Sequence, residues 1–276
     1  MTYAKKQFGQ NFLKDKRALE KIVFAGDITP GDVVLEIGPG RGALTKKLLE
    51  AGATVIAVEL DPEMILFLQN ECQDQINSGQ LKLIEEDILQ VDIAGLGLQS
   101  GRYKIIANIP YYITGIIIRT FLESLTQPQL MVLLIQKEVA ERIVDGQQSK
   151  GNSKKKKKDK ENILSLSVKV YGDVSYIATV GRASFSPAPR VDSAIIKIEN
   201  ISHDKLATAG ITEVEFFRVV KAGFAQKRKT LVNNLKHAEY EIEAIDSALT
   251  QIQVDEKVRA ELLTLDQWIQ LGKILK

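Results

Sequence analysis

The 276-residue chain is poorest in the residues that carry redox, metal and acid–base chemistry, with one cysteine and two histidines. A lone Cys72 excludes an internal disulfide, a Cys-rich zinc site and a C-x-x-C redox pair, and points to a reducing compartment. His203 and His237 sit in no motif, so no metal site is expected. Long apolar runs are absent too: none approaches the roughly 20 residues that span a bilayer. The N-terminal MTYAKKQFGQNFL lacks the continuous apolar stretch of a secretory signal. A cytoplasmic chain with no membrane partner is therefore expected. Charge of one sign is scarce: 37 Lys+Arg against 35 Asp+Glu leave +2, so any grip on nucleic acid has to come from local clustering. What is present is apolar, 45% of residues, enough for one large domain or a main domain with a smaller one.

From Val33 to about Glu199, short β-branched runs alternate with helix-like segments, the pattern of βαβ units and a mainly parallel sheet. Strands are predicted near Val33–Ile37, Thr54–Val58, Leu81–Glu85, Lys104–Ala107, Leu130–Ile135, Tyr176–Val180 and Ser193–Glu199. Seven strands make an α/β, doubly wound sheet. The last two are joined by SFSPAPR, too short for a crossover helix, so the last strand should run antiparallel. In ELDPEM, Asp61 can cap a helix and Pro62 suits its first turn. After Ile201 helical periodicity takes over, which predicts a main domain over 1–202 and a small all-helical domain over 203–276. Within the main domain, GQQSKGNSKKKKKDKEN has almost nothing apolar and reads as a mobile Lys-rich loop over 146–162.

Three segments carry chemistry. EIGPGRGALT puts Gly38, Gly40 and Gly42 at a strand-to-helix turn, where backbone can approach a ligand and the helix offers unpaired N–H groups. This loop alone does not separate a nicotinamide cofactor from another adenosine ligand. Glu59 ends the second strand, where a carboxylate can accept both hydroxyls of a ribose; Asp61 and Glu63 suit the helix start better. Asp87 could accept from an adenine amine or simply close a turn. The third segment, IIANIPYYITG, follows the fourth strand. Ile109 precedes proline and is biased to extended backbone, so Asn108, Ile109, Pro110 and Tyr111 should form a stiff tongue beside the glycine loop. An amide, a backbone carbonyl and an aromatic face are the parts needed to hold a flat base bearing an exocyclic amine.

FGQNFL (Phe8 to Leu13), EIGPGRGALT, VIAVELD, EEDIL, NIPYYIT and FSPAPRVDSA together resemble, in order and spacing, the S-adenosylmethionine-dependent ribosomal RNA adenine N6-dimethyltransferases. The likeness covers most of residues 3 to 236, and GFAQKRKTLVNNL points to the small-subunit branch rather than the related erythromycin-resistance enzymes. It implies a Rossmann-like methyltransferase sheet with S-adenosylmethionine held by Asn11, Leu13, Gly38, Gly40, Glu59, Leu60, Asp87, Ile88 and Asn108. It also implies a target-base site of Asn108, Ile109, Pro110 and Tyr111, with Phe185 as a second aromatic that would sandwich the base. The implied substrate is a pair of neighbouring adenosines near the 3′ end of 16S rRNA on the small ribosomal subunit, with no obligate protein partner and a monomeric enzyme. The chain departs from the family's usual GSKxYGRLSV, where it keeps only the LSV end behind the Lys-rich insertion.

Phe216 to Ala238 contains Arg218, Lys221, Lys227, Arg228, Lys229 and Lys236 and no acid. Lys221, Lys227, Arg228 and Lys229 are the expected RNA contacts, since clustered cations grip phosphates.

Overall fold

In the computed structural model, which describes residues 10–144 and 160–276, the short apolar runs form one seven-stranded sheet. Its strands are β1 (Val33–Ile37), β2 (Thr54–Glu59), β3 (Leu81–Glu85), β4 (Tyr103–Asn108), β5 (Leu130–Gln136), β6 (Asp173–Val180) and β7 (Ser193–Glu199). The spatial order is β3-β2-β1-β4-β5-β7-β6. The first five run parallel, and β7 is antiparallel to both β5 and β6.

Central strands covered on both faces read as unbroken apolar runs, and β4 and β5 are buried along almost their whole length. The edge strand β6 instead alternates exposed and buried residues and carries an irregularity between Tyr176 and Ala178. It begins at Asp173, three residues before the expected Tyr176, because its outer face is polar and hides the strand signal. Two further two-residue strands, Phe12–Leu13 and Phe185–Ser186, pair antiparallel.

Contacts divide the chain into two units. One comprises the described residues of Met1–Ala140 and Asp173–Ile201; the other comprises those of Glu141–Gly172 and Ser202–Lys276. Helix Ile163–Lys169 thus groups with the helical residues, whereas the sequence alone suggested a single boundary at 202. The reason is local: Lys169 Nζ pairs with the buried Glu161 carboxylate at 2.7 Å, and Glu161 N–H donates to the Glu261 carbonyl. Most of the expected Lys-rich loop, 146–159, lies outside the described residues. Its last residues are not loose: Lys160 pairs with Glu261, and Asn162 caps helix Ile163–Lys169 in a reciprocal box with Ser165.

The second unit packs helices Asp204–Ala209, Glu213–Gly223, Leu231–His237, Ile242–Gln251 and Leu265–Leu275 around Trp268, which is fully buried and stacked on Phe224. A Cβ at Gly223 would fall on the Trp268 ring, which explains a glycine inside a helix. Thr212 and Thr264 open their helices with capping boxes. Cys72 is buried, as a small apolar residue would be. Among the described residues, no helix is long and apolar enough to cross a membrane.

Candidate active site

In open parallel sheets, ligands settle where the strand order reverses, outside the carboxyl ends of the strands. Here β1 lies between β2 and β4, and register brings their ends level. Ile37 pairs with Val58 and Leu35 with Ile105; continuing both registers puts Gly38 beside Glu59 on one side and Asn108 on the other. A cavity of about 390 Å3 opens there.

The glycine loop forms its floor. Gly38, Gly40 and Gly42 all have positive φ, at 65°, 54° and 72°. A methyl group at Gly38 would point across the cavity toward the Pro110 ring, 4.0 Å away, and one at Gly40 would strike Phe12 at 2.8 Å. Gly42 starts helix Ala43–Glu50. Glu59 braces the loop: Oε2 accepts the Gly40 N–H at 3.0 Å and Oε1 the Asp61 N–H at 2.9 Å. Burial raises its pKa, while those two amides pull the other way. Each oxygen keeps a lone pair for a ligand hydroxyl. Asp61 caps helix Pro62–Glu71 as its sequence suggested, and also accepts the Gln10 side-chain amide at 2.9 Å.

That last bond belongs to a strap across the cavity. Phe12 and Leu13 form the ladder with Ser186 and Phe185, Lys14 N–H donates to the Ser184 carbonyl, and the Ser184 hydroxyl donates to Asp15 at 2.8 Å. The Arg41 guanidinium lies 4.9 Å from the Phe12 ring centroid, over the loop. Phe8 and Gly9 of the FGQNFL motif lie outside the described residues.

The tongue follows β4. Asn108 is half-buried and donates its Nδ2 to the Asn11 carbonyl at 3.1 Å, across 97 residues of sequence. With the amide nitrogen engaged, Oδ1 is the atom Asn108 has to offer a ligand. Ile109 is buried; the Tyr111 hydroxyl shares a 2.7 Å hydrogen bond with Ser193 Oγ. Burial raises the Tyr111 pKa, so the phenol stays protonated at neutral pH.

Asn11, Leu13, Gly38, Gly40, Glu59, Leu60, Asp87, Ile88, Asn108, Ile109, Pro110 and Tyr111 all line this one cavity. Asp87 Oδ1 accepts the Leu89 N–H in a turn, and the residue lines the cavity. Phe185 is the exception. It is 2% exposed, belongs to the core cluster with Leu13 and Leu134, and is not among the lining residues. Successive side chains of a strand point to opposite sides, so Ser186 takes the cavity side and Phe185 the core. The exposed aromatic on the wall is Tyr112. Glu36 and Arg41 also line the cavity and were missed, although both stand inside the quoted glycine motif. Nothing in their local spacing distinguishes them from ordinary strand and turn residues.

In the helical unit, Lys221 ends helix Glu213–Gly223, while Lys227, Arg228 and Lys229 occupy the turn before helix Leu231–His237. All four are exposed, and none makes an ion pair among the described residues. The basic segment is thus largely a turn rather than a helix face.

A family model described as "Ribosomal RNA adenine dimethylase" matches residues 1–276. The chain belongs to this family. Among curated relatives, it is 39% identical over 269 residues to a "Ribosomal RNA small subunit methyltransferase A" of Dehalococcoides mccartyi, covering 97% of this chain and 87% of that one. It is 40% identical to the protein of the same description from Lactobacillus johnsonii, over 99% of this chain and 91% of that one. Among solved structures, a dimethyladenosine transferase from Plasmodium falciparum superposes with a TM-score of 0.72 at 27% identity, over 94% of this chain and 95% of that one. The 23S rRNA methyltransferase ErmE shares the fold, with a TM-score of 0.72 at 22% identity over 96% of this chain and 99% of that one.

The family's methyl donor, S-adenosylmethionine, suits what lines the cavity. Glu59 offers acceptors for a ribose and Asp87 an acceptor for an adenine amine, Leu60 and Ile88 give apolar wall, and Gly38 leaves room where any side chain would intrude. The volume falls within the roughly 300 to 1,000 Å3 usual for small-molecule sites.

Proposed function

We infer that the protein transfers methyl groups from S-adenosylmethionine to N6 of two adjacent adenosines in the 3′-terminal hairpin loop of 16S rRNA, giving N6,N6-dimethyladenosines during maturation of the small ribosomal subunit. It works in the cytoplasm as a monomer. The observation that supports this reading most directly is the Asn108 amide, tied at its nitrogen to the Asn11 carbonyl so that an acceptor oxygen is left at the cavity.

When bound, S-adenosylmethionine supplies an electrophilic methyl group on a sulfonium. The amine of adenine is a poor nucleophile because its lone pair is delocalised into the ring. Asn108 Oδ1 and the Ile109 carbonyl accept its two N–H bonds, which draws the nitrogen toward a pyramidal shape and exposes the lone pair. No strong base is needed, since the nitrogen becomes acidic only as it gains carbon and sheds its proton afterwards. Tyr111, protonated and anchored on Ser193, is a stacking face worth about 1 to 3 kcal/mol toward the cost of unstacking the base. Phe185 acts at one remove, holding the ladder that carries Leu13 and Ser186. The acceleration comes mainly from positioning, whose upper range is roughly 7 to 11 kcal/mol. Lys221, Lys227, Arg228 and Lys229 hold RNA phosphates.

The test is incubation of the protein with labelled methyl donor and unmethylated small subunits, followed by nucleoside analysis. N6,N6-dimethyladenosine is expected with subunits, and Asn108→Ala should slow its formation steeply while RNA binding stays within severalfold. Label in another nucleoside, or transfer unchanged by Asn108→Ala, would overturn the assignment.

A further inference from the structure

One stretch of the cavity rim is apolar and faces solvent. Beyond the Tyr111 hydroxyl and its bond to Ser193, the chain runs through a short 3-10 helix, Tyr111–Ile113, into helix Thr114–Leu122. Residues four apart share a helix face, so Tyr112 and Ile116 stand together. They are 63% and 53% exposed, and Tyr112 lines the cavity. Gly115 lies between them. It has no positive φ, and a Cβ there would meet nothing within 4 Å among the described residues. Neither turn stereochemistry nor internal packing accounts for this glycine, unlike Gly38, Gly40 and Gly223. Glycine weakens a helix relative to alanine, and the use left for it here is to let something outside the chain come close to the backbone. Arg119, one turn beyond Ile116, adds an exposed cation whose 3.1 Å pair with Glu123 is at the surface.

The other exposed apolar side chains of the wall, Leu60 and Leu89, follow Glu59 and Asp87, the two acids that suit the donor. The ledge of Tyr112, Gly115 and Ile116 instead continues the Asn108–Tyr111 tongue, where the target base is read. A base in an RNA strand is joined to its neighbour by one phosphodiester, so an adenine drawn into the cavity brings the next nucleotide to this side of the rim. That nucleotide has lost a stacking partner, and an exposed aromatic ring supplies one. We propose that the ledge seats the unpaired nucleobase adjacent to the target adenine: the base stacks on Tyr112, its sugar passes over Gly115 and Ile116, and Arg119 takes a phosphate. This rests on reading the cavity as the site of adenine N6 methylation in RNA. The two neighbouring adenosines then have two places, one in the cavity and one on the ledge, and a shift of the strand by one nucleotide exchanges them.

Initial-rate methylation of unmethylated small subunits by the full-length protein tests this, with subunits carrying uridine in place of one adenosine of the pair as second substrates. Tyr112→Phe should match the wild type. Tyr112→Ala should lower kcat/KM for subunits about 10- to 100-fold, the usual worth of one base–aromatic stack, with the Kd for S-adenosylmethionine unchanged. Uridine beside the remaining adenosine presents a smaller face, so it should cost the wild type severalfold and Tyr112→Ala nothing further, because the stack it weakens is already gone. A penalty at either position supports the proposal and tells which neighbour is seated. Gly115→Ala should raise the denaturant midpoint, since alanine favours the helix, and yet lower kcat/KM severalfold, a pairing that a purely structural role would not produce. A Tyr112→Ala rate within twofold of the wild type, an equal uridine penalty in both proteins, a loss seen in donor affinity instead, or full activity in Gly115→Ala would each overturn the proposal alone. A wild type that transfers no methyl group to adenosine N6 would overturn the methyltransferase reading with it.

Discussion

In the sheet unit, the polar groups around the cavity are held by partners distant in sequence: Glu59 by the Gly40 amide 19 residues before it, Asp61 by Gln10 at 51, and Asn108 by the Asn11 carbonyl at 97. In the helical unit, Lys221, Lys227, Arg228 and Lys229 stand exposed, with no ion pair among the described residues. The first arrangement is a network in which each group positions the next, so losing one misplaces the others. The second is a set of charges in water, whose effects add and are screened by salt. Cavity changes should therefore act steeply and independently of ionic strength, and changes in the basic turn gradually and with a salt signature.

The largest effect expected is at Asn108. Asn108→Ala should lower the single-turnover methylation rate by about 10²- to 10³-fold, the usual cost of removing one preorganised polar contact to the reacting group. Its salt dependence should match that of the wild type. A loss that shrank at high salt would break the contrast between the two regions. Next is Gly40→Ala, which puts a side chain at φ 54° and 2.8 Å from the Phe12 ring. Strain of this kind costs about 1 to 3 kcal/mol, so donor affinity measured by calorimetry should fall about 10- to 100-fold with RNA binding unchanged. The triple substitution Lys227→Ala, Arg228→Ala and Lys229→Ala should weaken RNA binding about tenfold. It should also lower the slope of log affinity against log salt by about 2, as for three lost phosphate contacts to single-stranded RNA. Donor affinity should stay unchanged. An unaltered slope would remove that turn from the RNA surface. Smallest is Thr264→Ala, which deletes the cap of helix Leu265–Leu275 and should cost about 1 kcal/mol in denaturant unfolding without altering donor binding.

Much of this was readable from the chain. The parallel strands announce themselves because burial on both faces demands continuous apolar runs, and Asp61–Pro62 marks a helix start by chemistry local to two residues. The glycine loop, Glu59, Asp87 and the Asn108 tongue were found together because each follows a strand, and parallel strands deliver their carboxyl ends to one side. Three features were not legible for one reason. The start of β6, the facing of Phe185 and the weight of Glu36 all depend on which side of an element is covered, and by what. An alternating edge strand looks like a loop until its neighbour is known. Phe185 and Ser186 exchange sides with a shift of one residue. Glu36 looks like any polar position until β1 is seen to be buried from Val34 to Ile37.

Taken alone, the order of residues determined the elements, their succession and the chemical parts at the strand ends, because those follow from short-range periodicity, capping and turn stereochemistry. Only the tertiary structure decided that the N-terminal strap closes over the glycine loop, that Asn108 presents its oxygen, that Phe185 belongs to the core and that Glu36 lies buried at the cavity. Each of those depends on groups tens of residues apart meeting in a medium from which water is excluded, and no local pattern encodes that meeting.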